Sequence, residues 1–447
     1  MADDTDTGRI GFAELGRSGL SQWGGFIAEE FLRELQGRRG MLTYREMSLN
    51  DATIGAILFA FKYLTRPVTW RVDPAPDTGT KGEEVADFID GALFKDMSWS
   101  WWETLNEIFS MLVYGWAYFE VVYKRRGGPV LDATQRSRFT DGKIGWRKWA
   151  IRGQDSLVRW DLDDHDGING MFQQAFPTFK QVFIPIQKAL LFRTDTERNN
   201  PEGRSILRTA YRSYYFKRRI QEIEGIGVER DLAGLPMLTP PEKVDIWNTK
   251  DAKMVTLKGE SERLVRSIRR DEQEGIVKPY GWTLDLLTTG GRRQFDTNAI
   301  ITRYDQRIAM SVMADFLLIG HQKVGSFALA SSKTKLFATA LSGFLAGIRD
   351  VINRHAIPKL VTLNGWAEEL SPTLAFGDIE TVDLAELGKY ITDISGAGLL
   401  FPDKELERHL RAQGNLPPPE EGVDAPPEPD PEPEPEPGLP DPDDEDE

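Results

Sequence analysis

The last 31 residues, 417–447, hold 14 Asp or Glu and 12 Pro, with no Lys or Arg. So little apolar surface is present that burial cannot offset the entropy of ordering this segment, which is expected to be disordered. Its Glu-Pro repeats favour extended polyproline II, at most about 3.1 Å per residue. A folded body must therefore be built from the other 416 residues, which carry 56 acids and 55 bases. The net charge of −15 belongs almost wholly to the tail, and the body is balanced. At roughly 100–200 residues per domain, such a body makes two to four domains or one elongated multi-part subunit.

Several chemistries are excluded. Cysteine is absent, which removes disulfides, thiolate catalysis and Cys-ligated zinc. The four histidines, His165, His321, His355 and His409, are too far apart for an HExxH site. No GxxxxGK[ST], GxGxxG or GxSxG motif occurs. The run Asp161-Leu162-Asp163-Asp164-His165-Asp166-Gly167 suggests a calcium loop. An EF-hand needs Gly at its sixth position and Glu at its twelfth, where Asp166 and Phe172 stand. It reads as a solvated acidic turn between strands. His355 reads as a helix-end or packing residue, and the abundant carboxylates have no defining spacing. No catalytic, cofactor or metal residue is assigned. The acidic start lacks a basic secretory region. Charge-free runs reach only 13 residues, as in 336–348, against the roughly 20 of a membrane span. An intracellular protein without a transmembrane helix is expected.

The patterning predicts an α+β fold, mostly helical. Residues 1–40 read as a loosely attached arm with one helix near 26–36. Ser48, Asn50 and Asp51 offer caps for a helix with Ile54, Ile57, Leu58, Phe61 and Leu64 on one face. Val68, Trp70 and Val72 alternate as a strand. Helices carrying Val85, Phe88 and Ile89, then Trp102, Leu105 and Ile108, lead to Gly115 and a β-rich run over 116–123. Asp141-Gly142 is a hairpin-type turn into a strand with Ile144, Trp146, Trp149 and Ile151. Another strand holds Val158, Trp160 and Leu162. Residues 41–195 thus form an α+β domain. A long helix covers 205–230, and a Pro/Gly stretch over 234–241 follows. Met254 to Leu257 reads as a strand, 261–274 as a charged helix, and Trp282, Leu284 and Leu286 as a strand. Long helices are expected over 296–318 and 332–355, with shorter ones over 384–395 and 404–412.

Two side-chain patterns stand out. Arg204, Arg208 and Arg212 recur every four residues, which on a helix is one face, and Lys217, Arg218 and Arg219 follow. Arginines bind phosphate by charge and paired hydrogen bonds. They equally form salt bridges, and Glu222, Glu224 and Glu229 are at hand. Phe337, Leu341, Phe344, Ile348, Val351 and His355 form a heptad-like stripe that needs a partner helix or subunit. Trp99, Trp101 and Trp102 could stack on a ligand, but their place at a helix start before an apolar face favours packing.

Four stretches together carry a resemblance: REMSLNDATIGAILFAFKYLTRPVTWRVDPA (45–75), IFSMLVYGWAYFEVVYK (108–124), NNPEGRSILRTAYRSYYFKRRIQEIEGIGVERDLAGLP (199–236), and DFLLIGHQKVGSFALASSKTKLF (315–337) continuing to NRHAIPKLVTLN (353–364). In this order they resemble the portal proteins of tailed bacteriophages, Mu-type branch, over about 41–418. The resemblance implies a portal-like subunit with an α+β wing, helical stem, clip and helical crown region. Its parts would be the arm (1–40), wing (41–195), first stem helix (196–230), clip (231–260), returning stem helix and channel-side loop (261–295), wing and crown helices (296–416), and the acidic tail (417–447). It also implies a dodecameric ring at one capsid vertex, through which double-stranded DNA passes without sequence readout during packaging and ejection. Implied partners are the terminase large subunit, major capsid and scaffold proteins and a head-completion adaptor, in the virion and, during assembly, the host cytoplasm, with no membrane and no cofactor. Arg204, Arg208, Arg212 and Arg219 would be a channel or subunit-interface basic face. Phe337, Leu341, Phe344 and Ile348 would pack between helices or subunits. A charge-balanced body suits a conduit that must not hold DNA tightly. The alternatives are another head–tail connector or capsid-associated protein, and a metal-dependent nuclease with dispersed carboxylates.

Overall fold

The computed structural model describes residues 14–127, 136–233, 235–267, 277–287, 296–314 and 327–377, together with 379 and 389. The chain divides into a unit over 1–379 and a second over 380–447, in which only Lys389, in helical conformation, is described. Apart from Lys389, the helices expected over 384–395 and 404–412 and the acidic tail lie outside the described residues.

The arm enters through a short hairpin, Gln22–Trp23 (β1) and Phe26–Ile27 (β2). Its turn requires glycine. Gly25 has φ +87°, and a Cβ there would sit 1.9 Å from the Trp160 carbonyl oxygen. Residues 26–36 are not a helix as expected. Only a 3-10 turn forms at Arg33–Leu35, and Gln36 is extended before Gly37–Asn50 (α1). From residue 14 on, the described part of the arm is tied to the body. Ser18 Oγ donates to Asp166 at 2.7 Å, Trp160 N to Gly25 O at 2.9 Å, and Arg208 grips Glu30 with two hydrogen bonds.

One residue separates α1 from Ala52–Leu64 (α2). The Asp51 carboxylate accepts from the Thr53 and Ile54 amides, both at 3.0 Å, the capping role its position predicts. Trp70–Asp73 (β3) and Gly79–Asp90 (α3) follow, and α3 runs into a π turn at Gly91–Lys95. A Ser100–Glu103 capping box starts Trp101–Ile108 (α4), and Ser110–Tyr114 (α5) ends on left-handed Gly115. Trp116–Arg125 (β4) then crosses the core, buried on both faces at its start. Trp101 packs edge-on against Trp70, Phe94 and Trp149, the structural role expected of it.

Ile144–Arg152 (β5), Leu157–Leu162 (β6), Ile168–Gln174 (β7), Gln181–Pro185 (β8) and Ala189–Arg193 (β9) complete two antiparallel sheets, β5-β4-β9 and β6-β7-β8. Trp116, Tyr118, Trp160, Met171 and Ile184 pack together in a cluster that draws on both sheets.

Tyr211–Ala233 (α6) starts later than the arginine spacing suggests. Ser205 Oγ accepts from the Leu207 amide at 3.1 Å and closes a 3-10 turn at Ile206–Arg208 instead. Leu235–Thr239 (β10) pairs with Thr283–Leu287 (β11), and Ala252–Ser267 (α7) lies between them in sequence. The strand expected over 254–257 is therefore the first turn of α7. Asp251 accepts from the Lys253 amide at 2.9 Å and starts the helix there. Thr297–Met310 (α8) is capped by Asp296 and ends before Met313, which adopts φ +59°, so the expected helix to 318 stops early. Phe327–Val351 (α9) passes through a π turn into Ile357–Leu363 (α10). Thr373–Phe376 (β12) returns to pair with β3.

Phe337, Leu341 and Ile348 are buried in the main core, and the Phe61 ring meets Phe337 at 5.0 Å and Phe344 at 5.7 Å. The stripe's partner is thus α2 of the same chain. Of the two partners the stripe could take, a helix or a subunit, the fold supplies a helix. Thr334–Leu363 is long and apolar enough to cross a membrane, yet its Leu341, Leu345, Ile352 and Leu360 are fully buried in this core.

Candidate functional site on the paired helices

Helices α6 and α8 lie side by side, and a buried cation joins them to the rest of the fold. Lys217 Nζ lies 2.8 Å from Asp51 Oδ2 and 2.5 Å from Asp305 Oδ1, with its side chain and that of Asp51 almost wholly buried. Thr53 Oγ1 donates to Asp305 at 2.6 Å. Asp51 therefore does two things at once: it caps α2 and neutralises Lys217 of α6. Further along, Thr297 of α8 donates to Glu224 of α6. On the side facing α1, Arg218 pairs with Glu46 at 2.5 Å and with Glu222 at 3.1 Å.

The predicted basic residues are not brought onto one helical face. Arg204 precedes the helix and pairs with Asp195, and with Glu197 at 3.1 Å; the Asp195 hydrogen bond holds its guanidinium above the usual arginine range. Arg208, in the 3-10 turn, holds Glu30 of the arm and lies over the Phe31 ring at 5.1 Å. Arg219 reaches Glu222 at 3.7 Å. Arg212 alone of the four makes no ion pair among the described residues.

Arg212 belongs to a different constellation. It shares a shallow cleft with Ser213 and Phe216 of α6 and with Tyr304 and Arg307 of α8. The Phe216 and Tyr304 rings stack at 6.3 Å and 18°. The Arg303 and Arg307 guanidinium carbons lie 5.4 and 6.0 Å from the centre of Tyr304. These three arginines are exposed and have no acidic partner among the described residues. The helix pair thus has an ion-paired side, towards α1 and α2, and a side where cations surround aromatic rings. Such a surface attracts polyanions by charge without reading sequence. Arg303 and Arg307 are four apart in TRYDQR, a helical spacing legible in the sequence. What that spacing omits is Arg212, which only tertiary packing adds.

The acidic turn over 161–167 spends its groups on the chain itself. Asp163 Oδ1 accepts from the Gly167 amide at 2.6 Å and the His165 amide at 2.9 Å, which hold its carboxyl below the usual range. Among the described residues, no group of three or more His, Asp or Glu could hold a metal ion. His355 lies at the π turn after α9. Partial burial and the nearby Lys359, Arg354 and Arg193 push its imidazole below the ordinary value.

A family model described as the portal protein of Mu bacteriophage matches residues 41–412. The chain belongs to this portal-protein family. Portal proteins are structural parts of the virion. The fold of this portal protein recurs in a chain of the neck of an empty gene transfer agent particle, solved with C6 symmetry. That match has TM-score 0.51 and 12% identity, covering 90% of this chain and 97% of that one. It recurs in the neck of a native gene transfer agent particle with C12 symmetry, at TM-score 0.50 and 12% identity, covering 86% and 95%. An HK97-family phage portal protein from Corynebacterium diphtheriae matches at TM-score 0.37 and 12% identity, covering 75% and 91%.

Proposed function

We propose that this portal protein forms a ring, dodecameric when assembled, at one vertex of a capsid, and that double-stranded DNA enters and leaves through its central channel. The family match over 41–412 carries this reading, and the C6 and C12 symmetry of the structurally similar neck particles supports a closed ring. The terminase large subunit and the head-completion adaptor dock at the clip, which we extend from the expected 231–260 to take in all of α7 and β11, because β10 pairs with β11. Major capsid and scaffold proteins meet the wing, and assembly takes place in the host cytoplasm.

Helices α6 and α8 are the stem in this proposal, which moves the returning stem helix from the expected 261–295 to α8, because α7 lies in sequence between the paired strands β10 and β11. The cation-and-aromatic side formed by Arg212, Arg303, Arg307, Phe216 and Tyr304 faces the DNA. Its charges are spread over a balanced body, so contact with phosphates guides DNA without arresting it. Arg204, Arg208 and Arg219 are paired within the subunit and take a structural part. The test is packaging by particles carrying substituted portals. Triple substitution of Arg212, Arg303 and Arg307 by Glu is expected to leave rings intact and to lower packaged DNA severalfold. Arg208→Glu is expected to release the arm instead. Full packaging by the triple variant would contradict this placement of the channel face.

A further inference from the structure

Two apolar surfaces, uncovered among the described residues, lie at opposite edges of the β6-β7-β8 sheet. At the β6 edge sits the chain's own arm, held where the Trp160 amide donates to Gly25 O at 2.9 Å. The arm carries Trp23, Phe26 and Phe31 exposed, Trp23 to 85%. At the other edge, the outer backbone row of β8 has no strand partner among the described residues. Val182 and Phe183 are exposed along it. The turn joining β7 to β8 presents Phe176, 81% exposed, with its ring 5.5 Å from Phe179. Aromatic patches of this size on one subunit mark an interaction surface, and an uncovered edge strand is a template for further contact.

We propose that these surfaces are the two halves of one contact between neighbouring copies: the aromatic side of the arm of one subunit covers the β8 edge and the Phe176–Phe179 tip of the next. The proposal rests on the ring-forming portal reading and assigns that ring a wing-level interface. Its logic is geometric. The two patches are different surfaces at opposite ends of one sheet, so their contact is heterologous and repeats head to tail, the kind of interface that closes into a ring. Both halves are apolar, so the match needs no buried charge. Gly25 fixes the arm on its own sheet, so the arm is presented outward rather than left to wander.

The full-length protein offers a clean test because it contains no cysteine. The double variant Phe26→Cys/Val182→Cys, treated with a short bis-maleimide, is expected to give a ladder of covalent species beyond the dimer. Each single-cysteine variant should give no covalent dimer, since a heterologous contact does not bring a residue to its own copy. Trp23→Cys/Val182→Cys and Phe26→Cys/Phe179→Cys run alongside to cover neighbouring registers. Separately, Phe176→Ser/Phe179→Ser changes only exposed rings and should keep the wild-type melting temperature. It is expected to raise the concentration needed for rings about tenfold. Rings seen in images without a ladder from any pair, or serine-variant rings at the wild-type concentration, would overturn this interface and leave the portal reading standing. A wild-type protein that never forms rings would overturn both.

Discussion

Replacing Lys217 by methionine keeps the length of the side chain but leaves Asp51 and Asp305 without their cation. Breaking a buried pair by removing one partner typically costs about 3–5 kcal/mol. Lys217→Met should therefore lower the urea unfolding free energy by that order. Arg204→Gln, at a half-exposed pair, should change it by less than about 1 kcal/mol. Equal losses would show that Lys217 is not the joint between α2, α6 and α8. A second residue gives a pH signature. The Glu202 carboxyl accepts from Trp160 Nε1 at 3.2 Å, and burial pushes its pKa up to about 7 from an ordinary 4.5. The folded state then holds this proton more tightly than the unfolded chain, so stability falls as pH rises from about 4.5 through 7. Glu202→Gln keeps an acceptor for the indole and removes the ionisation. It should be more stable than the wild type above pH 7, by up to about 3 kcal/mol, and equal to it near pH 4. Melting curves of both proteins across pH 4–8 check this, and parallel curves would contradict it.

At the scale of elements, the tightest point of the arm's attachment is the approach of Gly25 to the β6 backbone. Gly25→Val would place a branched Cβ against the Trp160 carbonyl at a positive φ. Limited proteolysis should then cut within residues 14–36 at least several times faster, while the core keeps its melting temperature. Unchanged cleavage would mean that the arm is held elsewhere. The elements that were legible in the sequence are those whose signals are local. Asp51 followed by Ile54, Ile57 and Phe61 announces α2 with its cap, and Gly115 before a run of aromatic and β-branched residues announces β4. The stripe of α9 was legible as a stripe, but not its partner Phe61, because nothing in a periodicity names the opposing surface. The arginine run misled for the same reason. Spacing by four implies a face only inside a helix, and the Ser205 turn keeps Arg204 and Arg208 outside it. The cation-aromatic surface needed α6 and α8 side by side. The β3–β12 pairing joins segments far apart in sequence, beyond the reach of any local pattern.

At the scale of the whole molecule, the charge asymmetry between body and tail has its own consequence. Removing residues 417–447 takes away 14 acids and no bases, and the balanced body that remains should aggregate more readily at low salt. Ring formation and melting temperature should not change. Loss of rings on truncation would give the tail a structural part that its composition does not suggest. The proposed ring would join subunits through the apolar patches at two opposite sheet edges and turn the cationic face of α6 and α8 towards DNA. Single-particle images of the purified full-length protein test that description most directly. Closed rings with a central hole wide enough for a DNA duplex are the expected result. Particles that stay monomeric at every concentration and salt, with or without scaffold protein, would contradict it.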